Sequence, residues 1–481
     1  MTQDVIVLIP GIGGSRLERD EKAVYDLSLR ALPRHLWNWV SGELAYRGGS
    51  GKPDDGVVAT DLVNNQLIPG YFGVDDYDGL CATLSAVVLN PAQQFFKFPY
   101  DWRASNRWAA EALDTFIRPK LHDWRNGGGS STAKLWLVCH SMGGLVARYF
   151  LEHLGGAELT RHLITIATPH RGAPKALNAL VNGLGFGALD FSAVVRSFAS
   201  TYELLPQYPV LRVGASVDSL LARVADIFGL GSVLPTPNAP NDPTPAHPEL
   251  APLPNIDPQH LHDALVFHAA IRRPVIQRIE NGEAPPYTIT CLFNRRQTTL
   301  QSARWSAETL TMSDDSPTQA PASVEAAFCR GDGTVPGPSA IPIEWRDTAD
   351  AIAVDKKHVS MPSASVVTDI IYNLANPLDA RAYMSGGLPD GTIGLAVPPL
   401  VMVGQAFEIV VDVIKAAHLT ITLKLLGSAL APLIEHVQLD ERSSARVEFT
   451  LREQGSYLVT TKSVDPTRPA IRDWVIAVTL S

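Results

Sequence analysis

The chain has 481 residues, enough for two to four domains at about 100–200 residues each. Its 40 Lys+Arg against 49 Asp+Glu give a net charge of −9, which speaks against a basic nucleic-acid groove. With 46% hydrophobic and 19% charged residues it has the material for a core and is not a disordered chain. No apolar run approaches the roughly 20 residues of a membrane span. Cys81, Cys139, Cys291 and Cys329 form no CxxC, so a disulfide framework and a zinc ribbon are both unexpected. No metal cluster is visible and no cofactor is implied.

Met1–Asp4 carries no positive charge and Val5–Ile9 is a short apolar run, below the about 7–15 residues of a secretory core segment. Taken as the native start, it predicts a cytoplasmic protein. Val5–Ile9 reads as a buried strand, followed by the turn Pro10-Gly11-Ile12-Gly13-Gly14-Ser15. Asn106–Trp124 has helical spacing, with Pro119 expected to kink or interrupt it. Leu135–Cys139 reads as a buried parallel strand, Met142–Leu154 as a helix ended by Gly155-Gly156, and Leu163–Ala167 as the next strand. This alternation predicts a parallel sheet covered by helices on both faces.

The apolar stretch Gly183–Ala188 and the Pro-rich run Pro235–Pro258 suggest an excursion over residues 183–260, either a lid or a long surface loop. Near residue 390 the pattern changes to period two. Phe407-Ile409-Val411-Val413, Leu419-Ile421-Leu423, Val447-Phe449-Leu451 and Trp474-Ile476-Val478 predict short strands of a β-sandwich. The expected organisation is an α/β domain over residues 1–385, with a mainly parallel sheet and an inserted lid. An Ig-like all-β sandwich over 395–481 follows, linked from Gly386-Gly387 to Pro398-Pro399.

Cys139-His140-Ser141-Met142-Gly143 lies between a strand and a helix. It differs from the G-x-S-x-G nucleophile elbow only in its first residue, where the need is for a small side chain. Ser141 is the candidate nucleophile, set at a helix N-terminus; an ordinary N-cap serine is the competing reading. A serine hydroxyl needs a base, and in this fold the partners follow as acid, then histidine. Gly331-Asp332-Gly333-Thr334-Val335-Pro336 offers Asp332, flanked by residues small enough for a tight loop. Asp355 is the next candidate acid. His358 follows in Lys356-Lys357-His358-Val359; the later His418 and His436 belong to the β-rich region. His140 adjoins the serine, but neighbouring side chains on an elbow point apart. His170, His262 and His268 precede the acid and suit structural roles.

An oxyanion needs preorganised donors. The backbone N–H of Met142 is one, and that of Ile12 the other, with Gly13 as the alternative. A dinucleotide fingerprint in the same turn fails, because Arg16 stands where its third glycine is required.

Together these residues resemble the lecithin:cholesterol acyltransferase-like α/β-hydrolases, which include lysosomal phospholipase A2-type enzymes. The similar segments, in the expected order, are Ile9–Glu18, Phe98-Pro99-Tyr100-Asp101-Trp102-Arg103, Cys139–Gly144, Ser197–Pro206 and Gly331–Pro336. The resemblance implies acyl-ester chemistry with Ser141, Asp332 and His358 as the triad and an oxyanion donor at Ile12. The secreted members' N-terminal disulfide has no counterpart, since Cys81 stands alone in that region, and the β-rich tail lies outside the shared segments. Tyr100 and Trp102 are candidates for the border of an acyl pocket, with core packing the competing assignment. Asp101 and Arg103 read as a buried structural pair. Trp37 and Trp39 suit either lipid contact or packing.

The expected function is a serine-dependent acyl-ester hydrolase or O-acyltransferase acting on lipid-like esters through an acyl-serine, in contact with a membrane surface. The alternative is a cytoplasmic effector or binding protein whose β-domain recognises a protein partner and controls a phospholipase-type unit.

Overall fold

The computed structural model describes residues 1–26, 42–48, 55–63, 66–68, 72–74, 77–186, 189–208, 210–213, 216–218, 253–306, 309–314, 330–345, 351–376, 393–398, 400–413, 416–425, 428, 430–441, 443–465 and 471–479. Trp37, Trp39, Cys329, Gly386-Gly387, the 385 boundary and the Pro-rich run as far as residue 252 lie outside these described residues.

A six-stranded sheet organises the first part of the chain. Its strands are β1 (Val5–Ile9), β2 (Phe95–Lys97), β3 (Leu135–His140), β4 (Thr160–Ile166), β5 (Thr288–Phe293) and β6 (Ile352–Ala353), in the spatial order β6-β5-β4-β3-β1-β2. Every pairing is parallel. Both β1 and β3 are buried at every residue. A strand with both faces covered must be apolar throughout, which is why these two segments show no period-two alternation.

Alternate residues of β1 and β3 feed two cores. Val5, Val7, Ile9, Leu135, Leu137 and Cys139 face α2 (Asn106–Asn126) and α3 (Gly143–His153). Ile6, Leu8, Trp136 and Val138 face α1 (Asp78–Ala86) and α6 (Ser365–Ala375). In α2, Leu113, Ile117, Leu121 and Trp124 form the buried stripe, and Ser105 caps the start by accepting Arg107 N–H at 3.2 Å. The break expected at Pro119 does not occur; α2 runs through it. Pro119 and Thr115, whose carbonyl loses its helical partner, both lie on the exposed face, so water can satisfy the freed acceptor.

Residues 183–218 hold a two-stranded hairpin, two short helices (Ser192–Ser197 and Ala199–Glu203) and the strand Leu211–Val213. That strand pairs in parallel with Ser302–Ser306. Pro258, expected in a loop, instead opens the 23-residue α5 (Pro258–Glu280). Proline suits a first helical position because no N–H is needed there, and Asp257 caps the turn by accepting Gln259 and His260 N–H at 2.8 and 3.0 Å.

The C-terminal part is all β. One sheet joins β7 (Ile393–Ala396), β9 (Ala406–Val413) and β12 (Ser443–Thr450). The other has the order β8-β14-β13-β10-β11, from β8 (Leu400–Met402), β10 (Ala417–Leu425), β11 (Leu433–Leu439), β13 (Gly455–Ser463) and β14 (Ile471–Val478). All pairs are antiparallel except β8 with β14. Ile409, Val411 and Val413 of one sheet meet Leu419, Ile421, Leu423 and Val459 of the other in a shared core, the packing of a sandwich. In β14 the inward residues are Ile471, Val475 and Ala477, while Val478 joins the core of the α/β unit. The chain is thus an α/β domain followed by a β domain.

Candidate active site

Ser141 lies at the junction of β3 and α3 with φ +50°, a left-handed conformation that costs a non-glycine residue energy. The surroundings hold it there. Its N–H donates to Ile166 O at 2.8 Å. Gly143 has no alternative, since a Cβ would come within 2.5 Å of the Ile9 and Pro10 carbonyl oxygens. On Gly144 it would lie 2.1 Å from Thr168 Oγ1, and on Gly11 2.8 Å from Ser141 Cβ. Cys139 occupies the first elbow position fully buried, and burial pushes its thiol well above the ordinary range, leaving it unreactive.

Ser141, Asp332 and His358 converge. His358 Nε2 is 2.8 Å from Ser141 Oγ, and His358 Nδ1 is 2.8 Å from Asp332 Oδ2. Asp332 Oδ1 accepts the N–H groups of Thr334 and Val335 at 2.9 and 2.7 Å, so the turn that carries the carboxylate also orients it. His358 N–H donates to Asp332 O at 2.9 Å, joining the two loops through the backbone. All three side chains are almost wholly buried.

Ile12 belongs to the turn closed by Gly14 N–H on Gly11 O at 3.0 Å, with Gly13 at φ +72°. Gly11 brings this turn against Ser141, and Met142 follows Ser141 at the N-terminus of α3, where the helix dipole favours negative charge. Tyr100 and Trp102 are buried, with Tyr100 Oη donating to Pro10 O and Trp102 Nε1 to Ser15 O, each at 3.0 Å. Both brace the backbone on either side of the Gly11–Gly14 turn. Arg103 is fully buried and paired with Asp101 at 2.7 Å and Asp55 at 3.1 Å. Burial alone would lower its pKa, but these carboxylates raise it.

Two supporting residues escaped sequence reasoning. His140 Nε2 lies 3.2 Å from the His358 carbonyl, and His140 Nδ1 lies 2.8 Å from Tyr77 Oη. Tyr77 Oη also accepts Gly11 N–H at 3.1 Å. The consistent assignment has Nε2–H donating and Nδ1 accepting, which a neutral imidazole alone can do. Burial and the neighbouring His358 push the His140 pKa well below its ordinary value, in keeping with that state. The network ties the Gly11–Gly14 turn, the elbow and the His358 loop together. His140 stood in the motif itself, but Tyr77 carried no signal, because nothing in its local sequence points to residue 140. His170 and His268 are buried elsewhere, with His268 held at about 4 by burial.

A parallel sheet with a serine elbow at the C-terminal end of a central strand defines the α/β-hydrolase class. The family model for lecithin:cholesterol acyltransferase matches residues 48–227, a span that includes Ser141 and excludes Asp332 and His358. This match supports the assignment of the chain to the lecithin:cholesterol acyltransferase-like α/β-hydrolases. It also supports acyltransferase or phospholipase-type chemistry on lipid esters in general terms.

Among solved structures, a superoxide reductase (neelaredoxin) from Ignicoccus hospitalis is similar at 11% identity over 18% of this chain and 80% of that one, with a TM-score of 0.16. A CARDB domain from Pyrococcus furiosus is similar at 15% identity over 19% of this chain and 98% of that one, with a TM-score of 0.15. A PKD domain of an M14-like peptidase from a Thermoplasmatales archaeon is similar at 12% identity over 18% and 91%, with a TM-score of 0.15. Scores this low bear on neither fold nor function. No curated protein matches the chain. Among the described residues no helix is long and apolar enough to cross a membrane, and no cluster of three or more His, Cys, Asp or Glu could hold a metal ion.

Proposed function

We propose that the protein is a serine acyl-hydrolase or O-acyltransferase of lipid-like esters, working through an acyl-Ser141 intermediate. The observation that carries this reading is the unbroken chain Ser141 Oγ, His358, Asp332, with both links at 2.8 Å. His358 Nε2 takes the serine proton as Oγ attacks the ester carbonyl. Asp332 holds Nδ1–H, so that the correct nitrogen faces the serine and the imidazolium is stabilised. The tetrahedral oxyanion is received by the N–H groups of Met142 and Ile12 at the positive end of α3. The proton on His358 passes to the leaving alkoxide, which departs as the alcohol. Water or an acceptor alcohol, deprotonated in turn by His358, then releases the acyl group. Tyr100 and Trp102 contribute by bracing the oxyanion turn.

Labelling with a fluorophosphonate tests this. The wild type should be modified at Ser141, and Ser141→Ala should be inert, with kcat on a chromogenic acyl ester down by several orders of magnitude, about 10⁶ at the extreme. Asp332→Asn should lower kcat by roughly 10⁴ through the wrong imidazole tautomer. Folded wild-type protein that neither labels nor turns over an ester would sink the reading. Product analysis with phospholipid vesicles, with and without an added alcohol, separates hydrolysis from transfer.

A further inference from the structure

We propose that the C-terminal β-sandwich is a positioning element of the active site, with Asp473 and Asp412 as the side chains that tie the base loop and the acid loop to it. The inference rests on reading Ser141, His358 and Asp332 as the catalytic groups. Three separate connections run from the sandwich to residues beside that triad.

The first is at the base loop. Lys357, the neighbour of His358, has its Nζ 2.5 Å from Asp473 Oδ2 on β14. The two side chains are only 10% and 13% exposed, so this is an inner contact and not a solvated surface pair. The second is at the acid loop. Arg330, two positions before Asp332, places Nη1 2.8 Å from Asp412 Oδ2 on β9. Residue 394 on β7 lies directly across from Asp412 and is glycine. A Cβ there would fall 1.3 Å from Asp412 Oδ1, so the carboxylate has its present place only because residue 394 has no side chain.

The third connection is through Gln297, which is almost fully buried. Its side-chain amide pairs with the β7 backbone, donating to Ile393 O at 3.3 Å and accepting Leu395 N–H at 3.2 Å. Its own backbone pairs both ways with Gly331, at 2.8 and 3.0 Å, one residue from Asp332. Thr299 continues the support by accepting Gly333 N–H at 2.9 Å. The acid turn therefore hangs on a strand of the sandwich, and the base loop is fastened to a second strand of it.

Charge adds to geometry. Lys175, at the start of α4 (Pro174–Val181), is lowered to about 8, first by burial, and it feels Asp332, Lys357 and Asp473. Asp332, Lys357 and Asp473 thus lie within electrostatic reach of one buried lysine.

The test compares wild type, Asp473→Asn, the exchange Lys357→Asp with Asp473→Lys, and Arg446→Gln. The last breaks an exposed pair with Glu408 on the same module and serves as the control. Steady-state hydrolysis of a chromogenic short-chain ester is read across pH, with thermal melts to establish folding. Asp473→Asn should lose about ten- to a hundredfold in kcat with KM little changed, because misplacing reacting groups is costly and ground-state binding is not involved. The exchange should recover part of the rate, and Arg446→Gln should match wild type. A folded Asp473→Asn with wild-type kcat overturns the proposal. If Asp473→Asn does not fold, Gly394→Ala and Arg330→Gln read the acid side, and wild-type rates in both would also overturn it. A second readout does not need activity: the far-downfield proton signal of a His Nδ1–H held by a carboxylate. Its presence in wild type and loss in folded Asp473→Asn would support positioning even if no ester were turned over, in which case only the hydrolase reading fails. Its persistence unchanged would refute the coupling.

Discussion

Glu203 illustrates how burial and a helix end compete over one carboxyl group. It is buried beside the start of α2, accepting Asn106 N–H at 2.7 Å and the Ser105 hydroxyl. Burial raises its pKa from 4.5 to about 7, against the lowering effect of the Ser105 and Asn106 hydrogen bonds. A carboxyl whose folded pKa is raised binds its proton more tightly in the folded state, so its contribution to stability falls as pH rises from about 4.5 to about 7 and is constant above. The buried histidines act oppositely. With folded pKa values depressed, His140, His170 and His268 favour the unfolded state as pH drops below their ordinary 6.5. The Glu203 effect is therefore isolated by difference. The unfolding free energy of wild type minus that of Glu203→Gln, from urea titrations at several pH values, should decline across the 4.5–7 window. A flat difference would mean that the carboxyl does not titrate there.

At the scale of elements, the elbow is a meeting of three backbones. β1 delivers the Gly11 turn, β3 delivers Ser141, and α3 begins at once, so that side chains are excluded from the crossing points. Gly11 has a different function from Gly143: its missing Cβ clears Ser141 and the His140 ring, not the Ile9 and Pro10 carbonyls. Gly11→Ala should therefore displace this turn, which carries the proposed oxyanion donor, from the serine. The expected loss in kcat/KM is on the order of 10², the cost of a misplaced reacting group, with the melting temperature lowered by only a few degrees. Kinetics and thermal denaturation on the same preparation check both halves. Unimpaired kinetics would show that the turn tolerates a side chain there.

At the scale of the molecule, the sandwich and the α/β unit share buried material. Val478 of β14 packs in the core that holds β1, β3 and α2, and Met402 of β8 packs against it. With the Lys357–Asp473 pair and the Gln297 bridge, unfolding either part exposes apolar and polar surface of the other. Scanning calorimetry should give one cooperative transition, because whichever part melts first strips the other of packing and ion pairs that stabilise it. Two well-separated transitions would mean that the parts are energetically independent.

Much of the architecture can be read without coordinates. The apolar runs at Val5–Ile9 and Leu135–Cys139, short and bounded by turn residues, read as strands covered on both faces, and a small-residue turn between strand and helix marks Ser141. The period-two segments after residue 400 mark a half-buried sheet face in the same local way. Small flanking residues nominate Asp332, and the chain order of acid then histidine nominates His358. Other features depend on contacts between residues far apart in the chain and have no local signature. Tyr77 meets His140, Gln297 bridges Gly331 to β7, and Asp473 reaches Lys357. The passage of α2 through Pro119 belongs with them, because whether the freed carbonyl faces water is decided by which side of the helix the rest of the protein covers. Residue order determined which elements form and which side chains are candidates for chemistry; the tertiary structure alone decided what holds them in register, because hydrogen bonds and ion pairs act through space at about 3 Å, whatever the distance along the chain.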